Sequence, residues 1–132
     1  MLNYFWVGLG GALGSMGRFW LSGLIARHFG EVFPLGTLLV NVSGSFVIGC
    51  IAAIAEPGGR WVISPSLSTF LMIGICGGYT TFSTFSLQTL NLVRDGHFLE
   101  AILNAVLSLT LCLLAVWLGH WLALSNAASK GP

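Results

Sequence analysis

The fold of this chain is decided by one stretch inside a long apolar run, Gly74-Ile75-Cys76-Gly77-Gly78-Tyr79-Thr80-Thr81-Phe82-Ser83-Thr84-Phe85-Ser86. Its first half contains three glycines, and its second half consists almost entirely of hydroxyl side chains and phenylalanines. A glycine inside a helix costs about 1 kcal/mol relative to alanine, so the pair Gly77-Gly78 predicts that a helix loosens or breaks here. In a bilayer, an interrupted helix is tolerated only where protein buries it or where it lines a watery cavity. The stretch is therefore predicted to be a functional site.

Composition places the whole chain in a membrane. Of its 132 residues, 55% are hydrophobic and 7% are charged, and its mean hydropathy is +0.89. Soluble domains average about 25% charged residues. The formal net charge is only +1 and no basic cluster occurs, so nucleic acid is excluded as an expected partner, and the surrounding partner is membrane lipid.

The apolar runs predict an all-α membrane protein with four transmembrane helices, because about 20 apolar residues span a bilayer as a helix. We expect a single domain over residues 1–132, with helices at about 3–26, 34–55, 65–93 and 98–124. The third helix is longer than one span requires, as an interrupted helix would be. In the first helix, Gly10 and Gly14 form a GxxxG pair, which predicts close packing against another helix.

Polar side chains recur at three- or four-residue spacing, so that each set lies along one face of a predicted helix. The sets are Thr37, Asn41 and Ser45; Thr81, Thr84 and Gln88; and Asn104, Ser108 and Cys112. Such side chains either hydrogen-bond between helices or line a path for a solute, and Asn41 in mid-membrane needs a partner of one kind or the other. Their coincidence with a helix break favours a lined path.

Two phenylalanines and one arginine complete the candidate site. Phe82 and Phe85 are three residues apart and share a helix face. Phenyl edges carry partial positive charge, so rings turned edge-on to a cavity attract an anion, although the same pair could also be ordinary core. Arg18 lies toward the end of the first predicted helix, where it either snorkels to the membrane surface or draws anions into a vestibule.

Several kinds of function are disfavoured by residues that the predicted helices lack. Every acidic side chain, Glu31, Glu56, Asp95 and Glu100, lies at or near a predicted loop. A small proton-coupled transporter needs a titratable carboxylate near the membrane centre. No nucleophile–base pair and no cluster of metal-binding side chains stands out, so we do not expect an enzyme.

The basic residues at the helix ends are balanced between the two sides of the membrane. In a four-helix chain, Arg27 and Arg94 lie on one side, and Arg60 and Lys130 lie on the other. With two basic residues on each side, the chain has no positive-inside bias. The chain is therefore predicted to insert in both orientations, which permits an antiparallel dimer. Four slim helices enclose little volume, so a solute path is expected to need two copies.

The residues from Gly77 to Ser86 resemble the signature of the small bacterial fluoride channels, the Fluc (CrcB) family. Two more segments agree with that family: Gly10 to Arg18, and Pro34 to Asn41 followed by Gly44. The resemblance is close over the first three predicted helices and looser over the fourth. Members of the family often carry Glu at the position of Gln88, where this side chain is neutral.

Family membership would imply an antiparallel, dual-topology homodimer with two fluoride pores along the subunit interface. It implies a structural Na+ at the dimer centre, held by the main-chain carbonyls of Gly77 and Thr80 from both subunits. It also implies that the pore is lined by Phe82, Phe85, Asn41 and Ser108, with Arg18 in the vestibule. To these the mechanism that we expect adds Thr84 as a further donor.

We therefore predict a fluoride-selective channel that exports fluoride passively across the inner membrane of a bacterium. The alternative is a small dual-topology multidrug or cation transporter, which the missing central carboxylate disfavours; a third reading is an assembly subunit without a solute path. Gly77 to Thr80 are expected to form the broken turn, and Thr81 to Ser86 the resumed helix. We also expect Gly77 to tolerate little added bulk.

Overall fold

The computed structural model describes residues 2–30, 32–56 and 63–129, and the side chains as far as Ser125. All regular structure in this part of the chain is helical. Two helices come first, α1 (Leu2–Phe29) and α2 (Leu35–Ile54). The helical elements that follow are α3 (Pro65–Ser68), a π-helical segment (Thr69–Cys76), α4 (Gly77–Tyr79), α5 (Phe82–Arg94) and α6 (Phe98–Ser129). The elements from Pro65 to Arg94 together form what we term the broken helix.

Three helical segments are long and apolar enough to cross a membrane: Leu35–Ile54, Pro65–Arg94 and Phe98–Ser125. The helix α1 is not one of them, because Arg18 and its glycines lower its mean hydropathy. The four-span count and the single four-helix transmembrane domain therefore stay predictions.

One close helix packing involves α1 and the first half of the broken helix. A Cβ atom added to Gly10 would lie 2.9 Å from the Cα of Gly74, and one added to Gly78 would lie 2.9 Å from the Cα of Gly11. Small residues allow this approach of two backbones. The prediction that the GxxxG pair Gly10 and Gly14 packs closely is confirmed, because both residues are buried at this contact.

The second packing unit joins α2 to α6. A Cβ atom at Gly49 would collide with the carbonyl of Val116, and the added Cβ of Gly119 would collide with that of Phe46. At the end of this seam, the Nε2 atom of His120 lies 3.0 Å from Oε1 of Glu56. The broken helix lies between the two units, because its first half packs on α1 and its last part, α5, packs on α6.

The helix break differs in position from the prediction. Gly77 and Gly78 remain helical, in α4, and the extended residues are Thr80 (φ −77°, ψ 157°) and Thr81 (φ −152°, ψ 118°). The predicted turn, Gly77 to Thr80, thus overlaps the observed break only at Thr80. Of its two adjacent glycines, Gly78 packs closely against α1 and Gly77 does not. The π-helical segment before them was not predicted. The resumed helix begins at Phe82, one residue after the predicted start.

Candidate functional site

A groove of about 310 Å³ lies beside the helix break, between α2, the broken helix and α6. Six of the eight residues predicted for the site line it: Asn41, Gly77, Thr80, Phe82, Phe85 and Ser108. These residues come from three helices and lie up to 67 positions apart in the sequence, since Asn41 and Ser108 are both in the wall. The fold therefore gathers the polar faces and the phenylalanines at one cavity.

Asn41 holds the break open by replacing helical hydrogen bonds. Its Oδ1 atom accepts a hydrogen bond from the backbone N–H of Thr81 at 2.7 Å, and its Nδ2 atom donates to the Thr81 carbonyl at 3.0 Å. Of the two sequence-based interpretations of Asn41, hydrogen bonding between helices is thus confirmed. Since an amide nitrogen has two protons, Nδ2 has a second N–H beside the one that it gives to Thr81.

The break also removes the helical donors of two carbonyl groups. In a continuous α-helix, the N–H of Thr81 would donate to the Gly77 carbonyl and the N–H of Thr84 to the Thr80 carbonyl. Instead, the first donates to Asn41 and the second to the Thr81 hydroxyl, at 3.3 Å. The main chain at Gly77 and Thr80, where we predicted a cation site, is therefore deprived of its usual internal partners.

The two predicted phenylalanines lie next to each other at the groove. Their ring centroids are 5.3 Å apart and their planes are inclined by 49°. Phe82 is 79% exposed in the single chain, whereas Phe85 is half-buried. The groove is consequently open on the side of Phe82.

Ser108 brings a hydroxyl from α6 to the opposite part of the wall. Its side chain is only 7% exposed, and its Oγ atom donates to Oδ1 of Asn104 at 3.4 Å. Asn104 is 1% exposed and lies behind the wall rather than in it. The sequence placed both residues on one helix face, and the structure separates their positions.

Two residues of the predicted site do not line the groove. Thr84 lies beside it, with its hydroxyl accepting a hydrogen bond from the Thr81 hydroxyl at 3.0 Å. Arg18 is half-buried on α1 and takes no part in the wall. Their roles as pore donor and vestibule residue stay predictions.

The groove also includes residues that we did not select from the sequence. They are Gly44, Ser45, Ile48, Cys76, Thr81, Leu109 and Cys112. Ser45 and Cys112 were visible as members of the polar faces, because they continue the four-residue spacing of Asn41 and Ser108. The apolar members Ile48 and Leu109 have no such pattern, since one apolar residue in a membrane helix looks like another.

Gln88 lies away from this groove, where it borders two other cavities of about 410 and 400 Å³. Its Oε1 atom is buried and has no hydrogen-bond partner among the described residues. The neutral side chain that departs from the family pattern is therefore not part of the groove wall.

The groove has no ionised side chain among its described lining residues and includes polar groups that can contact a small ion. Its described lining contains hydroxyl, amide, phenyl, thiol and main-chain groups, and no carboxylate, ammonium or guanidinium group. Hydroxyl and amide protons replace water around an anion, and carbonyl oxygens bind hard cations. No covalent chemistry is needed for either task.

The chain is similar to members of a named protein family. Residues 5–120 match the family described as CrcB-like protein, Camphor Resistance (CrcB). A relative from Opitutus terrae is 57% identical over 131 residues, which are 99% of each chain. One from Methylocella silvestris is 51% identical over 98% of this chain and 99% of its own, and one from Rhodospirillum rubrum is 56% identical over 90% and 92%. All three are named fluoride-specific ion channel FluC.

Proposed function

The chain belongs to the CrcB-like family, and on that basis we propose that it is a fluoride-selective ion channel through which fluoride leaves the cell passively. It is a multi-pass membrane protein and not an enzyme. Fluoride enters cells as the neutral acid and is trapped as the anion, so passive export lowers its toxicity. The observation that carries the proposal is the groove, which brings Asn41, Phe82, Phe85 and Ser108 into one wall.

Fluoride would lose its water one contact at a time along this wall. The second N–H of Asn41 would donate to the ion, as would the hydroxyl of Ser108 once its proton turns from Asn104, and Thr84 lies one hydrogen bond behind the groove. The tilted rings of Phe82 and Phe85 would add the weak attraction of their edges for an anion. A narrow path of such donors disfavours chloride, which is larger and accepts weaker hydrogen bonds.

The path would be completed by a second copy of the chain. Phe82 is 79% exposed and Gly77 is exposed beside it, so the groove lacks a cover on one side. An isologous contact across this face would bury both residues and double the wall. We propose an antiparallel homodimer, since the balanced positions of Arg27 and Arg94 against Arg60 and Lys130 predict insertion in both orientations; Arg60 and Lys130 lie outside the described residues.

A structural Na+ would fit at the centre of this dimer. The carbonyls of Gly77 and Thr80 have lost their helical donors to Asn41 and to the Thr81 hydroxyl. Hard cations prefer such oxygen ligands, and interrupted membrane helices supply them. Two carbonyls from each of two copies would hold the ion, whose charge would fix the copies together and add no step to conduction.

Fluoride efflux from liposomes that hold the purified protein tests the proposed function. We expect fluoride to leave faster than from empty vesicles, and chloride to leave no faster. Equal fluoride leakage from both kinds of vesicle would refute the channel. In the same assay, replacing Na+ by N-methylglucamine should abolish efflux, and full efflux without Na+ would remove the cation site.

Orientation is tested separately, in the inner membrane of intact bacterial cells. Asp95 is exposed at the turn after α5, so Asp95→Cys in a chain otherwise free of cysteine reports the side on which this turn lies. We expect a membrane-impermeant thiol reagent to label about half of the molecules from outside. Labelling of all or none would rule out dual topology.

A small multidrug or cation transporter is not favoured as an alternative. Such a protein needs a charged carboxylate in its binding site, and the described groove lining contains none.

A further inference from the structure

Among the buried polar side chains that the structure describes, Asn104 has the smallest exposed fraction, 1%. Its Nδ2 atom donates to Oγ1 of Thr89 on α5 at 2.8 Å, and its Oδ1 atom accepts from Oγ of Ser108 at 3.4 Å. Thr89 in turn donates to the carbonyl of Phe85 at 2.8 Å. A chain of three hydrogen bonds therefore runs behind the groove wall, from the side chain of Ser108 to the backbone of Phe85.

The hydrogen bond from Thr89 to the Phe85 carbonyl determines which atom donates in the other two hydrogen bonds. A hydroxyl has a single proton, and that of Thr89 goes to the Phe85 carbonyl, so its oxygen can only accept from Asn104. The amide of Asn104 must then turn its NH2 group to Thr89 and its oxygen to Ser108. The Ser108 hydroxyl consequently points its proton at Asn104, and only the lone pairs of its oxygen face the groove.

This direction matters for an anion. Lone pairs repel an anion, so Ser108 binds one only after its O–H turns from Asn104 into the groove. The bond that must break is 3.4 Å long, whereas O–H···O bonds are commonly about 2.7–2.8 Å. The hydroxyl is therefore held weakly enough to turn.

We propose that Asn104 is a positioning residue which, held by Thr89, sets the direction of the Ser108 O–H and thereby how readily Ser108 donates to an anion in the groove. Asn104 does not contact the ion. The inference rests on the proposed function, because fluoride is the anion concerned.

Thr89 offers a matched pair of variants for the test. Thr89→Val keeps the size of the side chain but removes the hydroxyl, so the Asn104 amide is free to turn its NH2 group toward Ser108. Ser108 then accepts, and its proton becomes available to fluoride. We expect the fluoride concentration that half-saturates efflux to fall by up to roughly five-fold, the effect of one full net hydrogen bond. Thr89→Ser retains the hydroxyl and should leave this concentration unchanged.

Ser108→Ala separates positioning from a general structural effect. If Asn104 acts through the Ser108 hydroxyl, Thr89→Val and Asn104→Leu should no longer shift the half-saturating concentration once that hydroxyl is removed. A shift of the same size with and without the Ser108 hydroxyl, or no shift by Thr89→Val at all, would overturn the proposal.

The hydrogen-bond chain can also be examined without any measurement of transport. In an NMR spectrum of the detergent-solubilised protein, the side-chain amide of Asn104 is the ¹⁵N peak pair that Asn104→Leu removes. We expect this pair to move in Thr89→Val and in Ser108→Ala but not in Thr89→Ser. A pair that stays in place in the first two variants overturns the proposal. Absence of fluoride efflux from the unaltered protein refutes the proposed function instead, and these peaks still decide the hydrogen-bond chain.

Discussion

Gly77 and Gly78 are neighbours in the same short helix, yet they lie in opposite environments. A Cβ atom added to Gly78 would come within 2.5 Å of the Gly11 carbonyl oxygen, whereas one added to Gly77 would meet only the Met72 carbonyl, at 3.7 Å. The first contact is closer than any real side chain makes, and the second is ordinary van der Waals contact. One face of the broken helix is therefore closed by the chain itself, and the other face is left open.

The difference shows which part of the glycine-rich stretch serves the fold. The closed face belongs to Gly78, and within the single chain Gly77 has room for a methyl group. The expectation that Gly77 tolerates little bulk concerns the contact between two copies, and it stays a prediction. The open face carries the groove residues Gly77, Phe82 and Phe85. Substitutions on the two faces should accordingly separate folding from assembly and conduction.

Gly78→Val should have the largest effect. Its side chain would have to displace the backbone of α1, and overpacking of a tight contact costs about 1–3 kcal/mol or more. We expect no folded protein to elute as a single species in size-exclusion chromatography after detergent extraction. Gly23→Val serves as the control, because nothing in the described part of the chain lies within 4 Å of an added Cβ there. If Gly78→Val folds normally, Gly78 does not pack against the backbone of α1 as closely as described.

Asn41→Leu should come next, because Asn41 links the broken helix to α2 at the boundary of the two faces. The substitution leaves the N–H of Thr81 without its partner and removes one of the donors to its C=O, and Thr81 is only 8% exposed. Each unsatisfied buried group costs about 1–3 kcal/mol. We expect a lower thermal midpoint, measured by tryptophan fluorescence, and loss of fluoride efflux.

Ser43→Ala is the matched control for Asn41→Leu. Ser43 also bonds from α2 to the broken helix, through the Tyr79 hydroxyl at 2.9 Å, but it is exposed. Removing it should change stability by about 1 kcal/mol at most. Equal effects of the two substitutions would mean that the clamp at Thr81 does not determine the break.

The role of Asn41 also shows how far the sequence alone could go. Helix ends were predictable from composition: the third span was expected at 65–93 and lies at Pro65–Arg94. The turn after it was also predictable, since the sequence has a glycine, Gly96, where the turn takes a positive φ of 81°. Each of these features depends on residues that are neighbours in the sequence. Hydropathy and glycine content are therefore enough to predict it.

The position of the break was not predictable in that way. It depends on a hydrogen bond between residues 40 positions apart, Asn41 and Thr81, and no local pattern reports such a bond. The same holds for Asn104, whose spacing to Ser108 suggested a shared face but whose partner Thr89 lies on another helix. The sequence was enough to predict that polar residues near the break line a common site. It was not enough to predict the geometry of the groove.

Gly77→Ala should spare the chain and affect the dimer. The added methyl group has room within one chain, and alanine is favoured over glycine in a helix by about 1 kcal/mol, so the thermal midpoint of the detergent-solubilised monomer should stay or rise. At the face that we propose to be shared, two added methyl groups would separate the copies and the carbonyls around Na+. We expect glutaraldehyde cross-linking to capture fewer dimers. A variant that unfolds like Gly78→Val would erase the difference between the two glycines.

Phe82→Ile should have the smallest effect, because it should leave both the fold and the dimer in place. The ring is 79% exposed in the single chain, so little of the folded core depends on it. Isoleucine is apolar but lacks an electropositive edge, and aromatic contacts of this kind are worth about 0.5–1.5 kcal/mol, which corresponds to at most roughly ten-fold slower fluoride efflux. Phe98→Ile, at an exposed phenylalanine outside the groove, should leave efflux unchanged. If both variants conduct alike, Phe82 is not part of the ion path, and the open face serves assembly alone.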